Sequence, residues 1–266
     1  MGFKQPQKIL WRGMSQNKAE KLASSHTVSA VASRLESGAR HSYLRDFVYG
    51  AVDGAVTTFA VVAGVAGAQL SAGIVIILGA ANLIADGFSM AVSNYLGTRA
   101  ENQLRDLARR TEEEHIDLVP EGEREEVRQI FAAKGFSGDE LENAVKIITS
   151  NREEWVNTML REELGFSARP VSPLKAGAVT WAAFILIGVL PLSSFLVKSI
   201  FSDLEFEPFA VSLVMTCSAF FIVGAFKSRF TEHVWWRSGL ETLFVGGIAA
   251  ALAYGAGVFL KAVVAV

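Results

Sequence analysis

One cysteine, Cys217, stands in 266 residues, so no disulfide forms within the chain and no thiolate pair has the spacing of a zinc site. Proline is sparse, and of the 6 present only Pro191 falls inside a long apolar run. Charge is scarce too. Charged residues make up 20% of the chain against 51% hydrophobic, and the mean hydropathy is +0.32. The hydropathy is too high for a soluble domain of this length unless much of the apolar surface faces lipid, so a purely soluble enzyme is not the expectation. The formal net charge of -2 names no partner. Residues 1–41 carry no long apolar core followed by a small-residue cleavage site, and no secretory signal is read there.

What the chain does have is long apolar runs, at 47–69, 72–97, 176–197, 209–226 and 239–263. Each approaches or exceeds the roughly 20 residues that a helix needs to cross a bilayer. All are too long for strands. Gly and Ala recur within them, as in Gly50-Ala-Val-Asp-Gly54, where small side chains let membrane helices approach closely. Pro191 predicts a kink in the third run. Trp181, Trp235 and Trp236 fall near predicted span ends, suited to the headgroup zone.

Charge is segregated. Residues 98–168 hold 17 acidic and 10 basic side chains, a balance of −7, while the remainder holds 10 and 15, or +5. Lys4, Lys8, Arg12, Lys18, Lys21, Arg34, Arg40 and Arg45 precede or open the first span, and Lys227, Arg229 and Arg237 lie between the fourth and fifth. The turn at 68–72 has no charge, and the loop at 198–208 carries Asp203, Glu205 and Glu207 against one Lys. The excess of Lys and Arg predicts a cytoplasmic N-terminus and acidic block, with the C-terminus across the membrane. The expected architecture is all-α, a polytopic membrane protein with five transmembrane helices and a cytoplasmic three-helix insertion. Its segments are 1–43, a basic cytoplasmic stretch; 44–97, two spans; 98–170, the acidic insertion; and 171–266, three spans.

Ionisable groups inside a span are costly and mark function by default. Asp46, Gly50, Asp53 and Thr57 share one face of the first span. Asn82, Asp86, Met90 and Asn94, each four apart, make a second stripe on the next span, with Ser89 and Ser93 beside it. Two such stripes on consecutive helices suit one path. Carboxylate and amide oxygens bind hard divalent cations, and the thioether of Met90 shifts preference toward transition metals. The plain alternative is packing for Met90 and helix–helix hydrogen bonding for the amides.

The acidic block reads as a polar continuation of the second span at 104–110, then helices at 123–133, from Ser137 to Thr149, and at 151–164. Ser137-Gly-Asp-Glu140 has the pattern of a capping box, and Gly165 and Pro170 close the last helix. Glu112 with His115, Glu123 with Glu126, and Met159 with Glu163 sit at helical contact spacing. Together they offer oxygens, an imidazole and a thioether, a set compatible with Fe2+, Mn2+, Co2+ or Zn2+. The alternative is that the acids only keep a surface soluble.

Tyr49-Gly-Ala-Val-Asp-Gly54 with Thr57-Thr-Phe59, then Asn82-Leu-Ile-Ala-Asp-Gly-Phe-Ser-Met-Ala91 with Tyr95-Leu96, and the Glu-rich insertion before three further spans, together resemble the vacuolar iron transporter family. The resemblance runs from about Leu44 to the C-terminus. It implies a homodimer of five-span protomers that exports Fe2+ or a similar ion from the cytoplasm in exchange for protons, along a path at the dimer interface. It also implies that a cytoplasmic three-helix domain collects the metal. Position by position, Asp53 and Met90 match the family's translocation site and Asp46 an acidic position near the entrance. Glu112, Glu123, Glu126, Met159 and Glu163 match metal-binding positions of the domain. His115 stands where the resemblance implies Glu, Leu160 where it implies a second Met, and Asn94 where an acidic residue often precedes the Tyr.

The expected function is therefore proton-coupled export of a divalent transition metal, Fe2+ or Mn2+, by a metal/proton antiporter rather than an enzyme. Its path is Asp46, Asp53, Asp86, Met90 and Asn94, and its metal ligands are Asp53, Met90, Glu112, His115, Glu123, Glu126, Met159 and Glu163. The metal is substrate, protons are counter-ions, and no cofactor is permanently bound. One alternative is ferroxidase-like chemistry, since Glu112-x-x-His115 resembles half of a di-iron carboxylate motif and a dimer mate must supply the second copy. Another is a membrane anchor whose domain senses metal. The expected partners are a second copy, the lipid bilayer and metal ions. An acidic domain repels phosphates, so no nucleic acid is expected. The expected location is a bacterial inner membrane, with a vacuolar membrane as the other possibility.

Overall fold

The computed structural model describes residues 22–37, 42–167, 170–228 and 234–264, and no strand occurs among them. The chain divides into two units, 1–42 and 43–266. In the first, the ten-residue helix α1 (Val28–Ser37) has Arg34 in its last turn. The basic residues Lys4, Lys8, Arg12, Lys18, Lys21 and Arg40, and Arg229 further along the chain, lie outside the described residues.

The second unit holds α2 (Leu44–Gly67), α3 (Ala72–Leu118), α4 (Pro120–Ala133), α5 (Gly138–Thr149), α6 (Arg152–Glu162), α7 (Pro173–Ile200), α8 (Pro208–Ser228) and α9 (Trp235–Val264). Five of these, α2, α3, α7, α8 and α9, are long and apolar enough to cross a membrane. The chain is a multi-pass membrane protein. The 47 residues of α3 rise about 70 Å at helical pitch, more than twice the thickness of a hydrocarbon core. Its apolar part ends near Gly97. The polar remainder projects beyond any bilayer as the first helix of the insertion.

Phe59, Val62, Val75, Leu83, Phe184, Leu192 and Phe195 form the main apolar core, drawn from α2, α3 and α7. Bare glycine surfaces set how closely these helices pack. A Cβ added at Gly54 of α2 would lie 2.4 Å from the carbonyl oxygen of Phe184 on α7. Large side chains on the outside, including Ile77, Ile84, Phe88, Leu186, Ile222 and Phe244, stay exposed as lipid-facing positions require.

Several expectations are revised. Helix α9 starts at Trp235 rather than 239 and α7 at Pro173 rather than 176, because hydropathy marks where lipid begins and a helix continues past it. Pro191 lies inside α7, as its place in the third apolar run implied, and its carbonyl accepts from Ser212 Oγ of α8 at 2.6 Å. Helix α4 begins three residues early, at Pro120, where a missing N–H costs nothing. Ser137 occupies the N-cap of α5 without a side-chain bond, because Gly138 takes φ +56°, off the right-handed geometry a capping box needs. Asn151 does cap α6, accepting from the backbone N–H groups of Glu153 (3.0 Å) and Glu154 (3.3 Å).

Ile116, Val127, Val145, Trp155, Val156, Met159 and Leu160 make a separate core for the insertion. Ion pairs bind its rim. Arg152 of α6 grips Asp117 and donates to the carbonyl of Glu113 (2.9 Å) on α3, Arg128 joins α4 to Glu142 of α5 (2.8 Å), and Lys134 reaches Glu162 (2.6 Å).

Candidate functional site

Glu112 and His115 lie one turn apart near the end of α3. The chain reverses at Val119 (φ −136°, ψ 54°) and Pro120 starts α4, so Glu123 and Glu126 return against them. Ligand atoms of Glu112, His115 and Glu123 all lie within 4.8 Å of one another, and His115 Nδ1 is 3.3 Å from Glu123 Oε1. Glu112 and Glu123 are 5% and 2% exposed. Each keeps one buried carboxylate oxygen, Oε2, with no hydrogen-bond partner. Buried polar atoms are rarely left so, and two together argue for something that binds them. His115, Glu126 and Glu163 are exposed and open the cluster to solvent.

The electrostatics agree. Burial first, then the charges of Glu123 and Glu163, push the Glu112 carboxyl up to about 7. Burial and Glu126 raise Glu123, with His115 acting the other way. Burial, together with the charge of Glu126 and a hydrogen bond that the protonated Glu163 makes to it, raises Glu163. Carboxylates that repel one another at this range form a group whose charge a bound cation would offset. Met159, one turn before Glu163, is wholly buried in the apolar core of the insertion, and Leu160 packs beside it. The structure thus brings Glu112, His115, Glu123, Glu126 and Glu163 into one group and places Met159 in the core behind it.

Within the membrane part, the two polar stripes face each other. Asn94 Nδ2 donates to Asp46 Oδ1 (2.8 Å), and Asn82 Nδ2 donates to Thr57 Oγ1 (3.3 Å). Those two bonds set an antiparallel register between α2 and α3. It puts Asp53 level with Asp86, and Gly50 level with Met90. Met90 packs against the main apolar core. Thr57 itself donates to the carbonyl of Asp53 (2.9 Å). Sequence reasoning passed over Thr180, which accepts from Asn94 Nδ2 (2.7 Å) and donates to the carbonyl of Ala176 (3.0 Å). Its only signal was a hydroxyl in the long apolar run of α7, which also holds Ser193 and Ser194.

Asp53 also borders a cleft of about 570 Å³, lined by Arg45, Tyr49, Val52, Val56 and Lys227. A second cleft of about 520 Å³ continues along α2 past Ala60 and Gly64 to Gly257 and Lys261 of α9. Lys261 bonds Gln69 beside the turn after α2, so that turn has a charge next to it after all. The flank of α2 is therefore open from Arg45 to Val56, whereas at Gly64 and Gly67 the helix packs closely on α9.

A family model described as the VIT family matches residues 44–258. Among similar proteins is a "Vacuolar iron transporter" of Toxoplasma gondii (strain ATCC 50861 / VEG), 34% identical over 228 residues, or 84% of this chain and 76% of that protein. A "Vacuolar iron transporter" of Plasmodium berghei (strain Anka) is 32% identical over 225 residues, 82% of each chain. "Vacuolar iron transporter 1" of Arabidopsis thaliana is 34% identical over 212 residues, 79% of this chain and 83% of its own length.

Proposed function

The chain belongs to the VIT family, and from that premise we propose that it exports a divalent transition metal, Fe2+ or Mn2+, from the cytoplasm in exchange for protons. The observation that carries the reading is the pair of buried carboxylate oxygens of Glu112 and Glu123 that no protein group satisfies, beside His115. In this reading Glu126 and Glu163 draw the cation in, and the inner pair holds it. Imidazole and carboxylate together suit Fe2+ and Mn2+ better than Ca2+, which takes oxygen ligands alone. The metal then passes Asp46 and is held at Asp53 and Met90, with Asp86 level with Asp53. Protons arriving from the far side take the carboxylates and release it.

Direction follows from charge. Arg45, Arg99, Lys175, Lys227 and Arg237 fall at the ends of spans on the side of the insertion, whereas the 201–207 connection carries Asp203, Glu205 and Glu207. By the positive-inside rule the insertion and N-terminus are cytoplasmic, in a bacterial inner membrane or a vacuolar one. The open flank of α2, with Asp53 at its border, is the surface on which a second copy completes the path.

Purified protein in proteoliposomes with an imposed pH gradient tests this reading with Fe2+, Mn2+, Zn2+ and Ca2+. Fe2+ or Mn2+ flux should follow the proton gradient and Ca2+ flux should not. Asp53→Asn should abolish the flux while the protein stays folded. Normal transport in that variant, or flux indifferent to the gradient, sinks the scheme.

A further inference from the structure

At the mouth of the membrane path one side chain ties three helices together. Asn94 of α3 spends both hydrogens of its amide, one on Asp46 Oδ1 of α2 (2.8 Å) and one on Thr180 Oγ1 of α7 (2.7 Å). Only one orientation of the amide fits, because the Asp46 carboxylate accepts but does not donate. Thr180 closes the ring. Its hydroxyl faces the carbonyls of Ala176 (3.0 Å) and Asp46 (3.4 Å), and its side chain is fully buried. The helices are in close contact at this level, for a Cβ added at Gly50 would lie 2.2 Å from the Thr180 carbonyl oxygen. Asp46 is itself 9% exposed. A hydrogen bond to a charged acceptor in such a place is stronger than a neutral one.

We propose that Asn94 is a positioning residue that locks this mouth: it holds Asp46 against α3 and α7, so that a cation entering between α2 and α3 reaches Asp53 only after the Asp46–Asn94 bond opens, the cleft on the outer flank of α2 being a separate approach. The inference rests on the reading of Asp46 and Asp53 as an ion path. A carboxylate at position 94 cannot make the lock, since it has no hydrogen to give Asp46. The amide therefore sets the mouth closed at rest, and an arriving cation opens it by taking Asp46 from Asn94. Thr180 serves as the fixed post on α7.

A single-cysteine chain tests the lock without requiring transport. In a Cys217→Ser background, Thr57→Cys places a thiol on the path face below Asp53, and Val56→Cys places one in the open cleft. Sealed vesicles with the insertion outward receive a charged, membrane-impermeant thiol reagent. With Asn94 present the thiol at 57 should react slowly. Asn94→Leu should speed it about tenfold, the population shift expected when one hydrogen bond to a charged acceptor is lost, and leave the thiol at 56 unchanged. Thr180→Val, which keeps the shape of the side chain, should speed it about threefold and stands as the test if Asn94→Leu does not fold. Unchanged labelling at 57, or equal acceleration at 56 and 57 as a merely loosened bundle gives, overturns the lock. If labelling responds but no metal moves in proteoliposomes, the transport reading falls and the lock stands.

Discussion

Glu112 and Glu123 each keep an oxygen that the protein leaves unsatisfied, and the consequence is a definite dependence on pH. With Glu112 near 7 instead of the ordinary 4.5, the folded chain holds a proton that the unfolded chain has released between those values. The metal-free insertion therefore loses stability as pH rises from about 4.5 to about 7 and is level above it. A divalent cation needs the same carboxyls ionised, so its affinity rises over that window. Hydrogen exchange on α4 and α6 of the full chain, corrected for intrinsic rates, should show less protection at pH 7.5 than at pH 5 without metal. Mn2+ should restore it at pH 7.5 and scarcely at pH 5. Glu112→Gln should remove most of the pH effect and weaken Mn2+ about tenfold or more, on the scale of a lost charged ligand. A variant with unchanged Mn2+ protection contradicts the site. The spacing of Glu112 with His115 and of Glu123 with Glu126 was legible in the sequence, because i and i+3 share a helical face. Their convergence was not. It depends on the reversal at Val119, which no periodicity records, and the same periodicity that set Met159 beside Glu163 said nothing of its burial in the core.

Among whole elements, the five long helices were the readable part, since apolar length alone marks a span. What hydropathy misses is how closely two helices approach, which depends on the glycines. Gly54 and Gly97 look alike in sequence, each a glycine inside a helix. Around Gly54 the α7 backbone leaves no room for a methyl group, with the Phe184 oxygen 2.4 Å from where a Cβ would stand. Around Gly97 nothing lies within 4 Å. Gly54→Ala should therefore push α2 from α7 and destabilise the membrane bundle by about 1–3 kcal/mol, the scale of overpacking. Gly97→Ala should stabilise by roughly 0.5–1 kcal/mol through helix propensity, because it meets no neighbour. Thermal unfolding of the two variants in the same detergent separates them, and a Gly54→Ala protein as stable as Gly97→Ala would mean that α2 and α7 are not in close contact there. The position of Gly97 gives this a functional edge. It stands where α3 leaves its apolar half, so stiffening it joins the polar stripe of Asn82, Asp86, Met90 and Asn94 more rigidly to the arm that carries Glu112 and His115.

Across the whole molecule, a net charge of -2 resolves into −7 on the insertion and +5 elsewhere, a separation that is legible in the sequence. An open flank is not. Which side of a span goes uncovered depends on how the other four pack, and here they leave a cleft along α2 from Arg45 through Tyr49 and Val52 to Val56. Tyr49 is 59% exposed on that flank, and Asp53 borders it. A carboxylate next to lipid in a membrane span is costly. A second copy laid along the same flank removes Asp53 from lipid and brings a second Asp53 toward the first, doubling the negative charge available to a divalent cation. A two-fold arrangement makes the contact self-complementary, so residues near the axis meet their own counterparts. Val56 lies on the open flank and Ile222 of α8 is exposed to lipid, so cysteines at the two positions discriminate between a specific pair and random collision. In a Cys217→Ser background, Val56→Cys should give a disulfide-linked dimer in native membranes under mild oxidation. Ile222→Cys should give little. Equal cross-linking at both positions, or none at Val56→Cys together with a monomer by mass in lipid nanodiscs, would show that one chain shields Asp53 unaided and that the path lies within a single bundle.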